Sequence, residues 1–200
     1  MELDLATSRW YQLAYTPGKW MSSSWWEALE LSQWRGFYSQ SLQCQQALDE
    51  LICTKRGFPN DNLFRPSTNW QKTLLEDIER LPKLLTALGL IRLARPDYLM
   101  LRRFKTALQV YLTIEELEQL LTIFPEEQFI DSRLKVQAEP ISEQYLPQLA
   151  LYLGWSGICQ SDLIWQAVAI LFPAHFVAEG ANDDAFGLLQ RWYVRLRRLL

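Results

Sequence analysis

Residues 81–93 read LPKLLTALGLIRL, and this stretch decides the fold class that the sequence predicts. Proline is tolerated in the first turn of an α-helix but not in its interior, so Pro82 places the start of a helix near Leu81. The side chains expected to face the core recur at helical spacing: Leu84, Leu85, Leu88 and Ile91. The stretch therefore predicts a buried helix that ends at about Leu93.

Helix signals continue on both sides of this stretch. Thr113 and Glu116 form a capping-box pattern, which predicts a helix from Ile114 to Ile123. Ser161-Asp162 is the expected cap of an apolar helix that runs to Phe172, where Pro173 stops it. Further helices are expected from about 25 to 36, from 38 to 55, from 67 or 68 onward, from about 96 to 111, and from 142 or 146 to 153.

These elements predict an all-α fold: one compact domain over residues 1–200, with about eight to ten helices in non-bundle, orthogonal packing. Residues 1–24 are expected to be irregular, because Pro17-Gly18 is a turn signal and a helix start follows it. Residues 129–136 are left open as a short β element or a loop. Residues 183–200 predict a basic, amphipathic C-terminal helix.

Composition narrows the class of protein. The chain has 200 residues, of which 49% are hydrophobic and 13% aromatic, as in a globular domain rather than a disordered one. A net charge of -3 gives no general basic field for nucleic acid. The start of the chain lacks the order of a secretory signal, and no apolar run reaches the ~18 residues of a membrane span. We therefore expect a cytoplasmic protein whose membrane association would go through protein partners.

Chemistry-bearing residues are sparse. His175 is the one histidine, and its position between aromatic residues is more typical of packing than of acid–base work. Three cysteines, Cys44, Cys53 and Cys159, match no zinc or redox spacing. The paired carboxylates fall at helix starts or on solvated faces, and no phosphate-binding glycine motif occurs. The sequence predicts no catalytic, cofactor-binding or metal-binding residues and no small-molecule substrate; an enzyme that uses His175 with a carboxylate is left open as a rival.

Two surfaces are candidates for protein contact. Arg191, Arg195 and Arg198 follow i, i+4 and i+7 spacing and share one helix face, which suits an acidic protein surface or anionic lipid. The alternative is a docked terminal helix with a solvated arginine face. Trp25 and Trp26 lie about 100° apart on a helix, so one is expected at the edge of the core, where an exposed indole would be a binding anchor.

Two segments resemble a known family. Residues 80–90 (RLPKLLTALGL) resemble a segment of the K-subunit of type III secretion sorting platforms, the group of SctK, OrgA, MxiK and YscK. In that segment an arginine, a leucine and a proline precede an apolar helix that ends in leucine-glycine. Residues 164–176 (IWQAVAILFPAHF) are similar to a late helix of the same group that runs into a leucine-phenylalanine-proline stop. The resemblance covers about a quarter of the chain and rests on packing motifs.

The resemblance implies a non-enzymatic, cytoplasmic adaptor of a bacterial injectisome. Such a protein links the cytoplasmic domain of the inner-membrane ring protein (the D-subunit) to the Q-subunit pods, and so supports protein secretion. It supplies no catalytic or binding residues. A secretion chaperone or a regulatory helical protein that holds a small protein client is the alternative left open.

Overall fold

The computed structural model describes residues 4–58, 66, 68–124, 141–160, 162–176 and 183–200, with the side chains of 183 and 184 left out. These ranges contain eleven α-helices and three 3-10 helices, and no strand occurs in them. Eight of the α-helices have seven or more residues. The all-α prediction is confirmed for the described chain. The predicted alternative of strand or loop at 129–136 lies outside the described residues, and the single-domain assignment stays a prediction.

Three short 3-10 helices lie among the α-helices of the described chain. The 3-10 helices are Pro17–Lys19, Ser32–Phe37 and Ala169–Leu171. The α-helices are α1 Leu5–Tyr15, α2 Ser23–Ala28, α3 Leu42–Lys55, α4 Asn69–Glu76, α5 Leu81–Leu93, α6 Asp97–Met100, α7 Arg102–Leu108, α8 Ile114–Ile123, α9 Leu146–Ile158, α10 Leu163–Val168 and α11 Asp183–Leu199.

The chain divides into two compact units. The first unit comprises Met1–Ile78 and Ser161–Val177, and the second comprises Glu79–Gln160 and Ala178–Leu200. In the first unit, α1 packs against α3, α4 and α10. In the second, α5 packs along α9, and α11 contacts both. Each unit therefore has a core of its own.

The prediction that residues 1–24 are irregular is wrong. Residues 5–15 form α1, and the carboxylate of Asp4 caps it by accepting the N–H of Thr7 at 2.8 Å. Ala6, Trp10 and Leu13 are buried at i, i+4 and i+7. Only two of these are large apolar residues, so the helical period of residues 5–15 is weak beside the turn signal of Pro17-Gly18. The turn itself is real and becomes a 3-10 helix.

Two expected helices are shorter than predicted. The helix expected from residue 25 ends at Ala28, because Glu30 takes a left-handed φ of 59° before the 3-10 helix of 32–37 begins. The helix expected from 96 to 111 is divided at Leu101, whose extended backbone separates α6 from α7. Neither break carries a glycine or proline at the site of the break, so the residue types gave no signal for it.

A buried carboxylate fixes the Pro17-Gly18 turn to α3. Asp49 is 3% exposed and accepts the N–H of Gly18 at 2.9 Å. The hydroxyl of Tyr38 donates to both Asp49 oxygens at 3.1 Å. Burial raises the pKa of Asp49 and, with the nearby carboxylate, raises the pKa of Tyr38 to about 12. Both Asp49 oxygens are engaged by these donors, so we interpret the pair as a structural clamp.

Two glycines allow α5 and α9 to cross in direct backbone contact. A Cβ added at Gly89 would lie 2.6 Å from the carbonyl carbon of Ala150, and one at Gly154 would lie 2.6 Å from that of Leu85. The pairs 89/150 and 85/154 show that the helices run in opposite directions where they cross. The sequence predicts a helix end near Leu153, but α9 continues to Ile158. Gly154 serves close packing rather than termination.

The capping box at the start of α8 also carries an ion pair. The Thr113 hydroxyl accepts the N–H of Glu116 at 3.2 Å, and Glu116 accepts the N–H of Thr113 at 2.9 Å, as predicted. Lys83 of α5 lies 2.6 Å from the same carboxylate. Burial alone would raise the pKa of Glu116, but the hydrogen bonds from Lys83 and Thr113 outweigh it and lower the pKa below its usual 4.5.

A lowered pKa makes the Glu116 contribution to stability pH-dependent. It is present above about pH 4.5 and is lost as the pH falls through the folded-state pKa. Glu116→Gln keeps the capping box and removes the charge. We therefore expect the variant to be less stable at pH 7, by up to about 1 kcal/mol. The difference should disappear when urea unfolding is followed down through this range.

The matched control for this prediction is Glu118→Gln on the same helix. Its side chain is 63% exposed and lies 3.9 Å from Lys105, so the substitution should change the urea midpoint little at any pH. Equal pH profiles for wild type and Glu116→Gln would show that the ion pair contributes nothing.

Candidate protein-contact surfaces

Helix α11 is docked along one face. Leu189, Tyr193 and Leu196 are 1%, 0% and 0% exposed and recur at i, i+4 and i+7. This face packs against α5 and α9 in the second unit. Tyr193 occupies the centre of the stripe, and its neighbour Trp192 is half-buried. The predicted basic amphipathic helix is therefore present, and its apolar side is covered.

The opposite face of α11 carries the predicted arginines. Arg191, Arg195 and Arg198 are all exposed. They border a groove of about 300 Å³, which is also lined by half-buried or exposed apolar side chains of α8 and α11. We call it the arginine groove; its lining residues are Ile123, Arg191, Val194, Arg195, Arg198 and Leu199. The groove thus combines an apolar base with three cations.

None of the three arginines forms an ion pair within the described residues, where Lys55, Lys83 and Lys105 each pair with a glutamate. Arg191 donates to the carbonyl of Gly187 at 3.3 Å, and Arg195 lies 5.1 Å above the Trp192 ring. These are contacts within α11 itself. The positive charges of the groove are therefore not neutralised by carboxylates in the described part of the fold.

Other cations satisfy the end of α11. Arg80 donates to the carbonyl oxygen of Arg197 at 3.1 Å, and Lys83 donates to that of Leu200 at 2.9 Å. Cations at a helix C-terminus stabilise the helix dipole and its unpaired carbonyl groups. Because Arg80 and Lys83 already supply this contact, terminal capping does not account for the exposed arginines.

The two tryptophans predicted as anchors are used inside the first unit. Trp26 is 4% exposed and meets the Tyr38 ring at a centroid distance of 5.7 Å. Trp25 is half-buried and donates its indole N–H to the Phe172 carbonyl at 2.9 Å. The Arg56 guanidinium lies 5.2 Å above the Trp25 ring. A binding role for these tryptophans stays a prediction, and their burial and internal bonds do not favour it.

An exposed aromatic pair lies elsewhere in the first unit. Trp34 and Phe37, in the 3-10 helix, are 45% and 46% exposed, and their ring centroids are 5.9 Å apart. We call it the aromatic pair. The sequence singles out neither residue as a contact candidate. No signal in the residue types marks them as exposed, because Leu31, Trp34, Phe37 and Tyr38 recur at the spacing of one helix face.

The isolated histidine and the cysteines form no reactive cluster among the described residues. His175 is exposed and lies edge-on to Phe176 at 5.1 Å. Cys53 is buried, its thiol donates to the carbonyl of Ala14, and burial raises its pKa. No group of three or more metal-ligating side chains occurs in the ranges that the structure describes.

The described helices also lack a membrane span, since none has the length and hydropathy to cross a bilayer. The described residues form an all-helical fold with two exposed candidate surfaces, the arginine groove and the aromatic pair. A protein-family model described as "Type III secretion system subunit" matches residues 8–174. The chain belongs to this family of type III secretion system subunits. The searches of curated proteins and of solved structures returned no match.

Proposed function

We propose that this chain is a non-enzymatic adaptor of the type III secretion sorting platform. In this role it bridges the cytoplasmic domain of the inner-membrane ring protein to the Q-subunit pods. It would work in the cytoplasm and reach the membrane through its partners. Membership of the secretion-subunit family supports the general setting. The resemblance of residues 80–90 and 164–176 to the K-subunit supports the finer assignment.

The observation that supports the bridging role is that each compact unit exposes a candidate surface of its own. The first unit exposes the aromatic pair, Trp34 and Phe37. The second exposes the arginine groove along α11. Aromatic residues and arginine are the residue types most enriched at binding hot spots. A bridging protein needs two separate surfaces, and the two differ in chemistry, so they suit two different partners.

Reconstitution tests this proposal. The purified chain, the cytoplasmic domain of the ring protein and the pod protein are mixed in pairs and all together, and complexes are sized by chromatography with light scattering. We expect the chain to bind each partner. We also expect the ring domain and the pod protein to elute together only when the chain is present. Binding to neither partner would refute the proposal, and co-purification of a secreted client instead would favour a chaperone.

A further inference from the structure

The arginine groove has a shape and charge that specify its occupant. It runs along α11 from Arg191 to Leu199, a span of nine residues whose helical rise is roughly 12 Å, or about two helical turns. Val194, which is 39% exposed, and the half-buried Ile123 and Leu199 supply apolar contact between the cations. We propose that the groove binds an acidic, amphipathic helical segment of a partner protein.

In such a segment, carboxylates spaced at i, i+4 and i+7 would face Arg191, Arg195 and Arg198. Guanidinium groups bind carboxylates through paired N–H donors, which fixes orientation as well as adding affinity. One or two apolar side chains on the same face would contact Ile123, Val194 and Leu199. The arginines are available for this because they have no carboxylate partner in the described residues, while Arg80 and Lys83 satisfy the end of α11.

A membrane surface fits these observations less well. An amphipathic helix binds lipid by burying its apolar face in the bilayer. The apolar face of α11 is already buried, with Leu189, Tyr193 and Leu196 at most 1% exposed. The free side is a groove bounded by α8 as well as α11, and a bilayer surface does not enter a groove. A protein segment is therefore the favoured occupant.

The inference rests on the proposed function in one respect, since it gives the chemistry of one of the two partners. Its test needs neither subunit. The probe is a fluorescein-labelled helical peptide of about 20 residues, built of leucine and glutamate at helical spacing and long enough to hold a helix. A second peptide carries glutamine in place of glutamate. Binding to the full chain is followed by fluorescence anisotropy.

The decisive variant is Arg191→Gln with Arg195→Gln and Arg198→Gln. We expect it to weaken binding of the acidic probe by about tenfold or more. The matched control, Arg35→Gln with Arg102→Gln and Arg103→Gln, removes the same charge from exposed positions outside the groove, and should change the Kd less than about twofold. Val194→Ser should weaken binding several-fold, and raised salt should weaken it further.

Three results would overturn the inference: no binding of the acidic probe, equal losses in both arginine triples, or equal affinity for the glutamine peptide. Vesicles of phosphatidylcholine with phosphatidylserine form a separate arm. Vesicle binding that depends on the three groove arginines, with no peptide binding, would assign the groove to a membrane instead. Probe binding without binding to ring or pod subunits would refute the proposed function and leave this inference standing.

Discussion

Gly154→Ala is expected to destabilise the chain by about 3 kcal/mol or more, and Gly89→Ala by a similar amount. In each case the new Cβ would lie 2.6 Å from a backbone carbonyl carbon of the facing helix, far inside the ~3.5–4.0 Å of ordinary carbon contacts. Backbone cannot relieve the overlap by a change of rotamer, so α5 and α9 would have to separate. That movement would open the core around Leu85 and Ala150, which are both fully buried.

The matched control is Gly187→Ala in α11, where an added Cβ meets nothing within 4 Å. Alanine has the better helix propensity, so this variant should gain up to about 1 kcal/mol. Thermal and urea unfolding measure all three variants, and about 3 kcal/mol corresponds to a fall of roughly 6–12 °C in Tm. A Gly154→Ala variant as stable as Gly187→Ala would contradict the close crossing of the two helices.

Trp10→Ala is expected to cost about 3–5 kcal/mol, since it removes a large buried side chain and leaves a cavity. Trp10 is 2% exposed, lies on the buried face of α1 and meets the Phe58 ring at 5.9 Å. The prediction tests the segment that sequence reasoning had assigned as irregular. Loss of the indole should detach α1 from the first unit and lower the urea midpoint.

Trp34→Ala is the control for this change, because the same residue type is removed from a site that is 45% exposed. It should cost less than about 1 kcal/mol. Similar urea midpoints for Trp10→Ala and wild type would mean that residues 5–15 do not contribute to the core. A large loss in Trp34→Ala would mean that the aromatic pair is structural and not free for a partner.

Helix starts could be predicted where a residue at the start caps the helix or, like proline, fits its first turn. Pro82, the Thr113 capping box and the Ser161-Asp162 cap placed the starts of α5, α8 and α10 within about a residue of the observed starts. These signals act within four residues of the helix start and need no tertiary information. The helix start at Leu146, with Pro147 in its first turn, follows the same rule.

Predictions failed where tertiary contacts decide. A glycine can end a helix or let two backbones meet, and only the facing residue Leu85 shows that Gly154 does the latter. Ala6 is small, so it adds little to the apolar period of α1. In the folded chain it is nevertheless buried, with 2% of its surface exposed. In both cases the residues that pack against the glycine or alanine are distant in sequence, so local sequence does not reveal them.

The candidate site was predictable in part for the same reason. Helical spacing alone put Arg191, Arg195 and Arg198 on one face, and the structure places them there. Ile123 could not be linked to them, because it comes from α8, about 70 residues earlier in the chain. The exposure of Trp34 and Phe37 depends on the break at Glu30, which no local residue signalled.

The central claim is that the chain joins two partners through two separate surfaces, and one comparison tests it most directly. Capture of the ring domain and of the pod protein is measured for two variants. The first is Trp34→Ser with Phe37→Ser, and the second is the Arg191, Arg195 and Arg198 glutamine triple. We predict that each variant loses one partner and keeps the other. If both variants retain both partners, or if each loses both while still folded, the two-surface account is contradicted.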